Sequence, residues 1–435
     1  MARGGRGAGA VTELAIASVE PDLDLARRMF GELRRNTSAG RGITRATYGP
    51  GESFAHDLAR REAEALGLEI ETDAALNLYM TLPGRNRALP RMIVGSHMDS
   101  VPEGGNYDGA AGVVAGLAAL AGLKARGMRL ARDVGVMAIR GEEAAWFNSA
   151  YIGSHAAFGR LDPSALSVRR SDTGRSLAEH LAEAGGDVAA LRRGEAHLNP
   201  RGIAAFIEIH IEQGPVLESA RLPIGLVTGI RGCLRHADAR CHGAYAHSGA
   251  APRAARRDAV AATVELIGAL NRYWEEVESA GADLVFTVGQ LNTDPAVATP
   301  SKVAGETRFA LDFRGLQESV MRAASRAAAE LAAEIGARRR VRFDLGDASY
   351  SYPAVLDPGL RRRLGELARR AGLPFMELPS GAGHDSAVFA EFGVPTAMIF
   401  IRNAHGSHNP DESMELEDFG AAARLLAAFL AGDLP

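Results

Sequence analysis

The sequence is poor in the residues and apolar runs that characterise secreted and membrane proteins. Cysteine occurs only at Cys233 and Cys241, so neither a disulfide framework nor a cysteine-rich zinc site can form within the chain. No apolar run reaches the roughly 18 residues that a membrane-spanning helix needs. The start of the chain is rich in glycine, arginine and alanine and lacks the apolar core of a secretory signal, so we expect 1–20 to be a flexible tail. These absences favour a cytoplasmic enzyme.

A large excess of charge of one sign is also missing. The formal net charge is −4 and charges of both signs are dispersed along the chain, which argues against nucleic acid as a partner. The arginine clusters at 253–257 and 338–340 are short, and we interpret them as solvated surfaces. Hydrophobic residues make up 46% of the 435 residues, which is enough for sizeable cores and fits two domains.

Strand and helix patterns alternate over most of the chain. Apolar strand patterns such as Val134–Ile139 alternate with helical ones, which is typical of an α/β fold with a mostly parallel sheet flanked by helices. Near residue 229 the composition changes, and the order becomes strand–helix–strand–strand–helix–strand, the ferredoxin-like α+β unit. The first strand of that unit is expected over 227–241. The sequence therefore predicts a larger α/β domain and an inserted one, with boundaries at 21–228 and 349–435 for the first and 229–348 for the second.

The run from Gly95 to Gly109 carries the first set of candidate ligands. An apolar strand pattern precedes it and a helix of small residues follows, so His97 and Asp99 would lie at the end of a strand and Asp108 at the start of a helix. In open α/β sheets, the crevice at the carboxyl ends of strands binds ligands. One imidazole and two carboxylates there suit a divalent metal such as zinc. For this motif alone, ordinary surface-turn residues remain an alternative.

An acidic pair follows the next strand. Glu142 and Glu143 come directly after the apolar run Val134–Ile139 and Arg140-Gly141. One carboxylate of such a pair can bind a metal while its neighbour takes a proton from a water on that metal. Without other motifs, a solvated acidic pair would be the simpler interpretation.

Histidines lie in or directly after three further strand patterns. Strand alternation puts His210 on one face together with Glu208 and Glu212. His384 and His408 lie in loops that each follow an apolar strand pattern. Any one of these histidines could be structural, but all of the candidates share the same kind of strand-to-loop junction, which favours one common metal site.

These motifs together resemble the amidase branch of the di-zinc aminoacylase–carboxypeptidase superfamily, which includes N-carbamoyl-L-amino acid hydrolases, β-ureidopropionases and allantoate amidohydrolases. The resemblance spans about 23–430 and also rests on the segment GITRATY at 42–48 and on LDFR at 311–314. It implies a zinc-exopeptidase-like fold whose inserted domain acts as a lid and as the interface of a homodimer. It also implies two divalent cations, which could be zinc, manganese or cobalt.

The resemblance also implies a role for each matching residue at the metal centre. Asp108 would bridge two metals, with His97 and His210 on one metal and Glu143 and His408 on the other. Glu142 matches the general base, which takes a proton from the water and later protonates the leaving nitrogen. Asp99 matches the carboxylate that orients His97.

Other matching residues would contact the substrate. His247 resembles a histidine that family members present to the site of a partner subunit to stabilise an oxyanion, and Arg314 resembles the residue that pairs with the substrate's α-carboxylate. Gln213 matches a polar contact to the ureido or amide group. His384 lies in a glycine-rich loop close to the substrate, where it would support the site rather than bind metal. Ser301 takes the place of an asparagine that is common in the branch.

The sequence departs from the family pattern at three places. Ala144-Ala145-Trp146-Phe147 replaces a usual Gly-Ser-Arg-Phe, Ser301 replaces the asparagine, and His247-Ser248-Gly249 replaces His-Ala-Gly. Trp146 could therefore add an aromatic wall to the substrate pocket or could simply belong to the core. Both Ser301 and Trp146 could alter substrate preference without touching the metals.

The predicted function is hydrolysis of an N-carbamoyl-L-amino acid to the amino acid, carbon dioxide and ammonia. One alternative is an amidase acting on N-acyl amino acids or dipeptides, and another is an allantoate amidohydrolase. A metal-free binding protein on the same fold is disfavoured because every ligand position is filled. Serine or cysteine nucleophilic catalysis is disfavoured because no Gly-x-Ser-x-Gly elbow is found. The expected partner is a small ureido or N-acyl amino acid, with neither nucleic acid nor membrane involved.

Overall fold

The computed structural model describes residues 19–432, which fall into two compact units. The first, here called the catalytic unit, runs from residue 19 to Thr228 and continues over Leu356–Ser380 and from His384 onward. The second, here called the inserted unit, comprises Gly229–Val355 and Gly381–Gly383. The predicted tail lies outside the described residues except for residues 19 and 20. Among the described residues, no helix has the length and apolar character needed to cross a membrane.

A mixed sheet forms the centre of the catalytic unit. Its strands are ordered across the sheet as Ile224–Ile230, Thr396–Ile401, Ile203–Ile211, Arg91–His97, Val134–Ile139, Leu78–Leu82 and Glu69–Thr72, with Phe375–Ser380 also paired to the first of them. The four strands from Thr396–Ile401 to Val134–Ile139 are parallel to one another, and the strands on either side pair antiparallel. The carboxyl ends of the four parallel strands therefore meet at one edge of the sheet.

Helices cover the central sheet because its inner strands are buried on both faces. Val134–Ile139 and Thr396–Ile401 are buried along their whole length, as expected for strands covered on both sides. The α-helices of this unit are Leu23–Thr37, Pro50–Ala65, Ala110–Ala125, Ile152–Ala157, Leu177–Ala184, Val188–Arg193, Val216–Ala220, Pro358–Arg370, Asp385–Glu391 and Leu416–Ala431. Short 3-10 turns lie at Pro163–Ser167 and Pro200–Gly202, and a small hairpin pairs Ser38–Ala39 with Gly42–Ile43.

The helix Ala110–Ala125 shows why its sequence is so rich in small residues. It is buried from Ala110 to Leu123, and it packs closely against the strand that carries His210. A Cβ added at Gly112 would collide with the carbonyl oxygen of Ile209, so only glycine permits this approach. The close packing brings the start of the helix, next to Asp108, against the ends of the neighbouring strands.

The inserted unit contains its own antiparallel sheet and two helices. Across the sheet the strands are ordered Val285–Thr287, Glu306–Gly315, Gly232–His242 and Arg342–Asp344, with the additional pairings Leu291–Asn292 and Ala348–Ser351. This is the second, third, first and fourth of the predicted strands, the arrangement of a ferredoxin-like unit. The helices Ala259–Ser279 and Glu318–Arg339 pack against the sheet. A separate pair joins Ala246–His247 to Lys302–Val303, a 3-10 turn covers Arg253–Ala255, and Ala354–Val355 pairs with Gly229–Ile230.

Three predicted assignments differ from the structure. The strand expected over 227–241 is two strands, because the chain leaves the central sheet at Ile230 and begins the strand of the inserted sheet at Gly232. The inserted unit ends at Val355 rather than at 348, because Ala348–Ser351 pairs with residues 233–236 of its sheet. Gly381–Gly383 also groups with the inserted unit, although the prediction assigned it to the larger domain.

Candidate metal centre

The candidate ligands of the catalytic unit lie at the edge where the four parallel strands end. His97 is the last residue of its strand, and His210 is the penultimate residue of the adjacent strand. Glu143 follows the strand that pairs with the other side of the His97 strand. Asp108 precedes the helix Ala110–Ala125, and His408 lies in the loop after Thr396–Ile401. The strand order thus brings together residues that are far apart in sequence.

Two groups of possible metal ligands share one carboxylate. His97, Asp108 and His210 form the first group, and Asp108, Glu143 and His408 form the second; within each, the ligand atoms lie within 4.8 Å of one another. Nε2 of His97 and Nε2 of His210 lie 3.4 and 3.1 Å from Oδ1 of Asp108. Nε2 of His408 lies 3.4 Å from the other oxygen, Oδ2, and 3.3 Å from Oε1 of Glu143. A carboxylate with a different set of ligands on each oxygen is arranged to bridge two cations.

The burial and the lowered pKa of Asp108 support its interpretation as a carboxylate shared by two cations. Its Oδ1 is buried and accepts no hydrogen bond within the described part of the chain, although two imidazoles point at it. Burial alone would raise the pKa of Asp108, but the contacts with His210, His408 and His97 lower that pKa well below its usual value. Two imidazole nitrogens thus face a buried carboxylate oxygen that accepts no hydrogen bond among the described residues, an arrangement that suits a cation. Imidazole nitrogens and carboxylate oxygens are the donor set that zinc and related divalent ions take, so the residues fit a pair of such ions.

The two buried histidines are oriented by contacts on the far side of each ring. Nδ1 of His210 lies 2.8 Å from the carbonyl oxygen of Ile211, and Nδ1 of His97 lies 3.1 Å from that of Asp99. A carbonyl can only accept a hydrogen bond, so each Nδ1 carries a proton, and Nε2 is the nitrogen that faces Asp108. Each ring is thus oriented with Nε2 toward Asp108, as binding of a cation there would require.

Asp99 connects the first histidine to the acidic pair. It is fully buried, and its Oδ1 lies 3.3 Å from Nδ1 of His97. The same carboxylate accepts hydrogen bonds from the backbone N–H groups of Glu142 at 3.1 Å and Glu143 at 3.2 Å, and from the hydroxyl of Thr47 at 2.6 Å. One side chain therefore fixes the strand end that bears a histidine relative to the loop that bears the two glutamates.

Glu142 is suited to accept and return a proton. Its side chain is buried, and burial raises the pKa of Glu142 well above its usual value, with further raising contributions from Glu143, Asp385 and Asp99. A general base works best with a pKa close to the working pH. The neighbouring carboxylates that raise this pKa are themselves part of the candidate centre or its surroundings.

Gln213 and His408 lie together on the more open side of the centre. Nε2 of Gln213 donates to Oδ2 of Asp108 at 3.0 Å and lies 3.5 Å from Nε2 of His408. Both residues have left-handed backbones, with φ of 65° and 60°, a conformation that is uncommon outside glycine and often occurs at functional sites. Asn403 stabilises this geometry because its Oδ1 accepts the backbone N–H of Gln213 at 3.0 Å.

His384 lies beside a ligand but belongs to neither ligand group. Its ring centroid is 4.5 Å from that of His210, and its Nε2 lies 2.9 Å from the hydroxyl of Ser380. Burial lowers the pKa of His384 well below its usual value, so the ring is neutral. This position agrees with a supporting role rather than with metal binding.

The remaining substrate candidates belong to the inserted unit. His247 is exposed, and its Nδ1 accepts the backbone N–H groups of Gly249 and Ala250 at 3.2 and 3.1 Å, so the proton resides on Nε2. Ser301 lies next to it in the fold, since its carbonyl oxygen accepts the N–H of Ser248 at 2.9 Å. Arg314 lies on the strand Glu306–Gly315, pairs with Asp312 at 3.1 Å and donates to the carbonyl oxygen of Gly381 at 2.9 Å.

Two residues considered in the sequence have structural roles. Trp146 is 6% exposed, packs in a hydrophobic cluster with Tyr48 and Phe147, and donates its indole N–H to the carbonyl oxygen of Ser100 at 2.7 Å. The core interpretation of Trp146 is therefore the one the structure favours. The carboxylate of Glu212 accepts the backbone N–H groups at the start of the helix Val216–Ala220, at 2.8 and 2.7 Å, so it caps that helix.

Sequence reasoning overlooked two charged residues that contact the centre. Arg45 is fully buried and hydrogen-bonds to the backbone of Met98 and Asp108. Glu412 is buried and accepts the backbone N–H of Asp108 at 3.3 Å. Arg45 lies within the segment 42–48 that carried part of the family resemblance, and this was the signal that could have identified it. Glu412 follows His408 by four residues in a loop, where its burial could not be anticipated.

The chain is similar to known proteins over nearly its whole length. The profile of the family described as peptidase family M20/M25/M40 matches residues 93–432. The N-carbamoyl-L-amino acid amidohydrolase of Geobacillus stearothermophilus is 35% identical over 398 residues, which cover 91% of this chain and 94% of that protein. The allantoate amidohydrolase of Escherichia coli K12 is 32% identical over 391 residues, covering 89% and 92%. A crystal structure of a hydantoinase/carbamoylase family amidase from Burkholderia multivorans has a TM-score of 0.86 at 28% identity, covering 95% of this chain and 98% of that one.

Proposed function

Because this chain belongs to peptidase family M20/M25/M40 and is an amidohydrolase of the metal-dependent kind, we propose that it hydrolyses the carbamoyl C–N bond of an N-carbamoyl-L-amino acid. The products would be the amino acid, carbon dioxide and ammonia. The observation that carries the proposal is the pair of ligand groups that share Asp108, with a buried acid pair beside them. The relatives named as N-carbamoyl-L-amino acid amidohydrolases support the choice of substrate class.

In the proposed mechanism, His97 and His210 would hold one divalent cation, Glu143 and His408 would hold the other, and Asp108 would be shared by both. Such a pair of cations, when bound, lowers the pKa of a water and polarises the scissile carbonyl. Glu142 accepts the proton of the attacking water and delivers it to the leaving nitrogen, which the raised pKa of its carboxyl group suits. The carboxylate of Asp99 fixes the positions of Glu142 and Glu143 through their backbone N–H groups and contacts the ring of His97.

The proposed substrate contacts of the inserted unit rest on geometry within that unit. His247 carries its proton on Nε2, so it can donate a hydrogen bond to a developing oxyanion. Arg314 offers a planar guanidinium that suits a carboxylate, although Asp312 already pairs with it. Ser301 lies beside His247 and would contact the substrate with a shorter, hydroxyl-bearing side chain than asparagine. We further propose that the protein is a homodimer in which His247 serves the partner's site, which size-exclusion chromatography with light scattering tests.

Allantoate is the second candidate substrate. The relative from Escherichia coli and the plant allantoate deiminases are about as similar to this chain as the carbamoylases are. Allantoate is also a ureide with a carboxylate, so the same ligands, base and arginine could act on it. The choice between the two substrates depends on the pocket around the substrate's side chain, not on the metal centre.

The deciding experiment measures ammonia release by the protein after chelation and reloading with zinc, manganese or cobalt. The substrate panel comprises N-carbamoyl-L-amino acids, N-carbamoyl-β-alanine and allantoate, with N-acetyl amino acids and dipeptides followed in parallel by amine release. Glu142→Gln should abolish the ammonia release. Asp418→Asn, which alters another buried carboxylate of the catalytic unit, is the matched control and should retain it.

Each outcome of that experiment has a clear meaning. Ammonia from N-carbamoyl-L-amino acids, lost on chelation, supports the proposal, and ammonia from allantoate alone would favour the second candidate. Amine release only from acyl or dipeptide substrates would contradict both and would identify an acyl amidase. Hydrolysis that persists in Glu142→Gln would contradict the proposed base.

A further inference from the structure

Arg45 contacts the loop that carries the candidate ligands at both of its ends. Its Nε donates to the carbonyl oxygen of Met98 at 2.7 Å, and its Nη2 donates to the carbonyl oxygen of Asp108 at 3.3 Å. The backbone of Arg45 also pairs with Ser100, whose N–H donates to the carbonyl oxygen of Arg45 and whose hydroxyl accepts the N–H of Arg45, both at 2.9 Å. One buried guanidinium therefore joins the start and the end of the segment from Met98 to Asp108.

Glu412 holds the same end of that loop from another direction. Its Oε1 accepts the backbone N–H groups of Tyr107 at 2.9 Å and Asp108 at 3.3 Å, and its Oε2 accepts the hydroxyl of Ser407 at 2.7 Å. The carboxylate lies so close to Gly105 that a Cβ at that position would collide with it. Glu412 is 3% exposed, so these backbone contacts are made out of water.

Arg45 thus donates to the backbone carbonyl of Asp108, and Glu412 accepts from its backbone N–H. We propose that Arg45 and Glu412 form a clamp, defined as their hydrogen bonds to the carbonyl and the amide of Asp108, that positions the bridging carboxylate for two cations. Neither residue is a ligand, and both act through Asp108 as positioning residues. The inference rests on the proposed function in so far as that function requires two metals at Asp108.

The attraction of the surrounding carboxylates does not offset the cost of burying an arginine at this position. Burial lowers the pKa of Arg45 in spite of the opposing effect of four nearby carboxylates, and its Nη1 is buried without an acceptor among the described residues, which is unfavourable. A positive charge next to a dinuclear site also repels the cations that the site would bind. Its directed hydrogen bonds to the ligand loop are the feature that offsets these costs.

If Arg45 acts through its positive charge, its loss should strengthen metal binding. If it acts through its hydrogen bonds to the ligand loop, its loss should weaken metal binding, so substitutions can distinguish the two roles. Arg45→Met removes a repelling charge, and Arg45→Lys keeps the charge but lacks the planar fork. If the clamp positions Asp108, both variants bind metal about 10- to 100-fold more weakly than the wild type, as observed when contacts behind metal ligands are removed. If Arg45 acted only through its charge, Arg45→Met would bind metal more tightly and Arg45→Lys would bind it as the wild type does.

Glu412 provides the complementary comparison. Glu412→Gln removes the charge but keeps a carbonyl oxygen for the two backbone N–H groups, so we expect metal affinity close to that of the wild type. Glu412→Ala removes the acceptor, and we expect the same 10- to 100-fold loss as for Arg45. Equal losses in the two Glu412 variants would mean that the carboxylate acts by charge and would overturn the clamp.

The experiment titrates Mn²⁺ alone into the chelated full-length protein and follows binding by isothermal titration calorimetry. Electron paramagnetic resonance of the loaded protein reports whether two Mn²⁺ ions are coupled through a shared ligand, a signature that a merely structural change would leave intact. Arg132→Met is the matched control, because Arg132 is another buried arginine of the catalytic unit and donates to the carbonyl oxygen of Pro90. Circular dichroism of each metal-free variant verifies folding.

The outcomes distinguish the clamp from the proposed function. Weakened binding and lost coupling in Arg45→Lys and Glu412→Ala, with an unchanged Arg132→Met, support the clamp. A wild-type protein that binds two ions and hydrolyses its substrate, while Arg45→Lys binds them equally well, would overturn the clamp alone. A wild-type protein that binds no Mn²⁺ would overturn both the clamp and the metal-dependent function.

Discussion

Asp99→Asn tests whether one buried carboxylate positions both the metal ligands and the base. Asp99 accepts hydrogen bonds at both oxygens, from Glu142 N–H at Oδ1 and from Glu143 N–H and the Thr47 hydroxyl at Oδ2. The His97 ring nitrogen Nδ1 also lies 3.3 Å from Oδ1. An asparagine replaces one oxygen by an NH₂ group. Whichever way the amide is turned, that NH₂ faces a backbone N–H that can only donate, so one buried donor loses its acceptor.

The size of the effect follows from those contacts. A buried donor left without an acceptor costs about 1–3 kcal/mol, and hydrogen bonds to a charged group are worth about 1.5–3 kcal/mol. We therefore expect the free energy of unfolding of the metal-free protein to fall by about 1–3 kcal/mol. Metal affinity should fall about 10- to 100-fold, because the contacts that orient His97 and Glu143 are weakened.

Two assays examine this prediction. Urea unfolding of the chelated protein, followed by circular dichroism, measures the change in stability, and calorimetric titration with Mn²⁺ measures the change in affinity. Asp418→Asn is the control, because it removes charge from a buried carboxylate that pairs with Arg402. An Asp99→Asn protein with unchanged metal affinity would refute the argument that this carboxylate positions the ligands, even if its stability were reduced.

Three further predictions follow from the structure. Gly109→Ala should destabilise the protein by about 1–2 kcal/mol and weaken Mn²⁺ binding in calorimetry, because Gly109 has φ of 64° and a Cβ there would collide with the His97 ring; normal binding would contradict this. Trp146→Phe should cost at least about 1 kcal/mol in urea unfolding and leave KM unchanged, since it removes the hydrogen bond to Ser100 and the buried indole ring near the guanidinium of Arg170; a changed KM would indicate that Trp146 lines the substrate pocket. Chelation should lower the Tm in differential scanning calorimetry and Mn²⁺ should restore it, because cations that bind only the native state stabilise it; an unaffected Tm would argue against the centre.

The elements that local patterns predicted best are those whose whole surface is buried. Val134–Ile139 has the predicted bounds because each of its residues is buried and none carries a polar side chain. The strand ending at His97 includes the first three residues of the run from Gly95 to Gly109, because Gly95, Ser96 and His97 still pair with the neighbouring strand. Those polar residues carry no local strand signal, and only the partner strand determines where the strand ends.

Contacts between distant parts of the chain were beyond local reasoning. The end of the inserted unit depends on Ala348–Ser351 pairing with residues 233–236, and nothing in either segment alone specifies that partner. In the same way, Glu412 contacts Asp108 across 304 positions of sequence. The candidate ligands could be predicted because strand ends in a parallel sheet share one edge. Residues that contact those ligands, such as Glu412, come from distant loops, and no local pattern predicts where these loops pack.

The balance of charge at the centre explains why these contacts are needed together. Asp99, Asp108, Glu143 and Glu412 all act on the single buried guanidinium of Arg45, and Glu142 adds a fifth carboxyl group. One guanidinium cannot compensate so many carboxylates at close range, and burial strengthens their mutual repulsion. Two divalent cations would compensate them, but only if the bridging oxygens of Asp108 stay between the two ligand groups. Backbone hydrogen bonds to Asp108 can hold that position without adding a further ligand, which is the role proposed for Arg45 and Glu412.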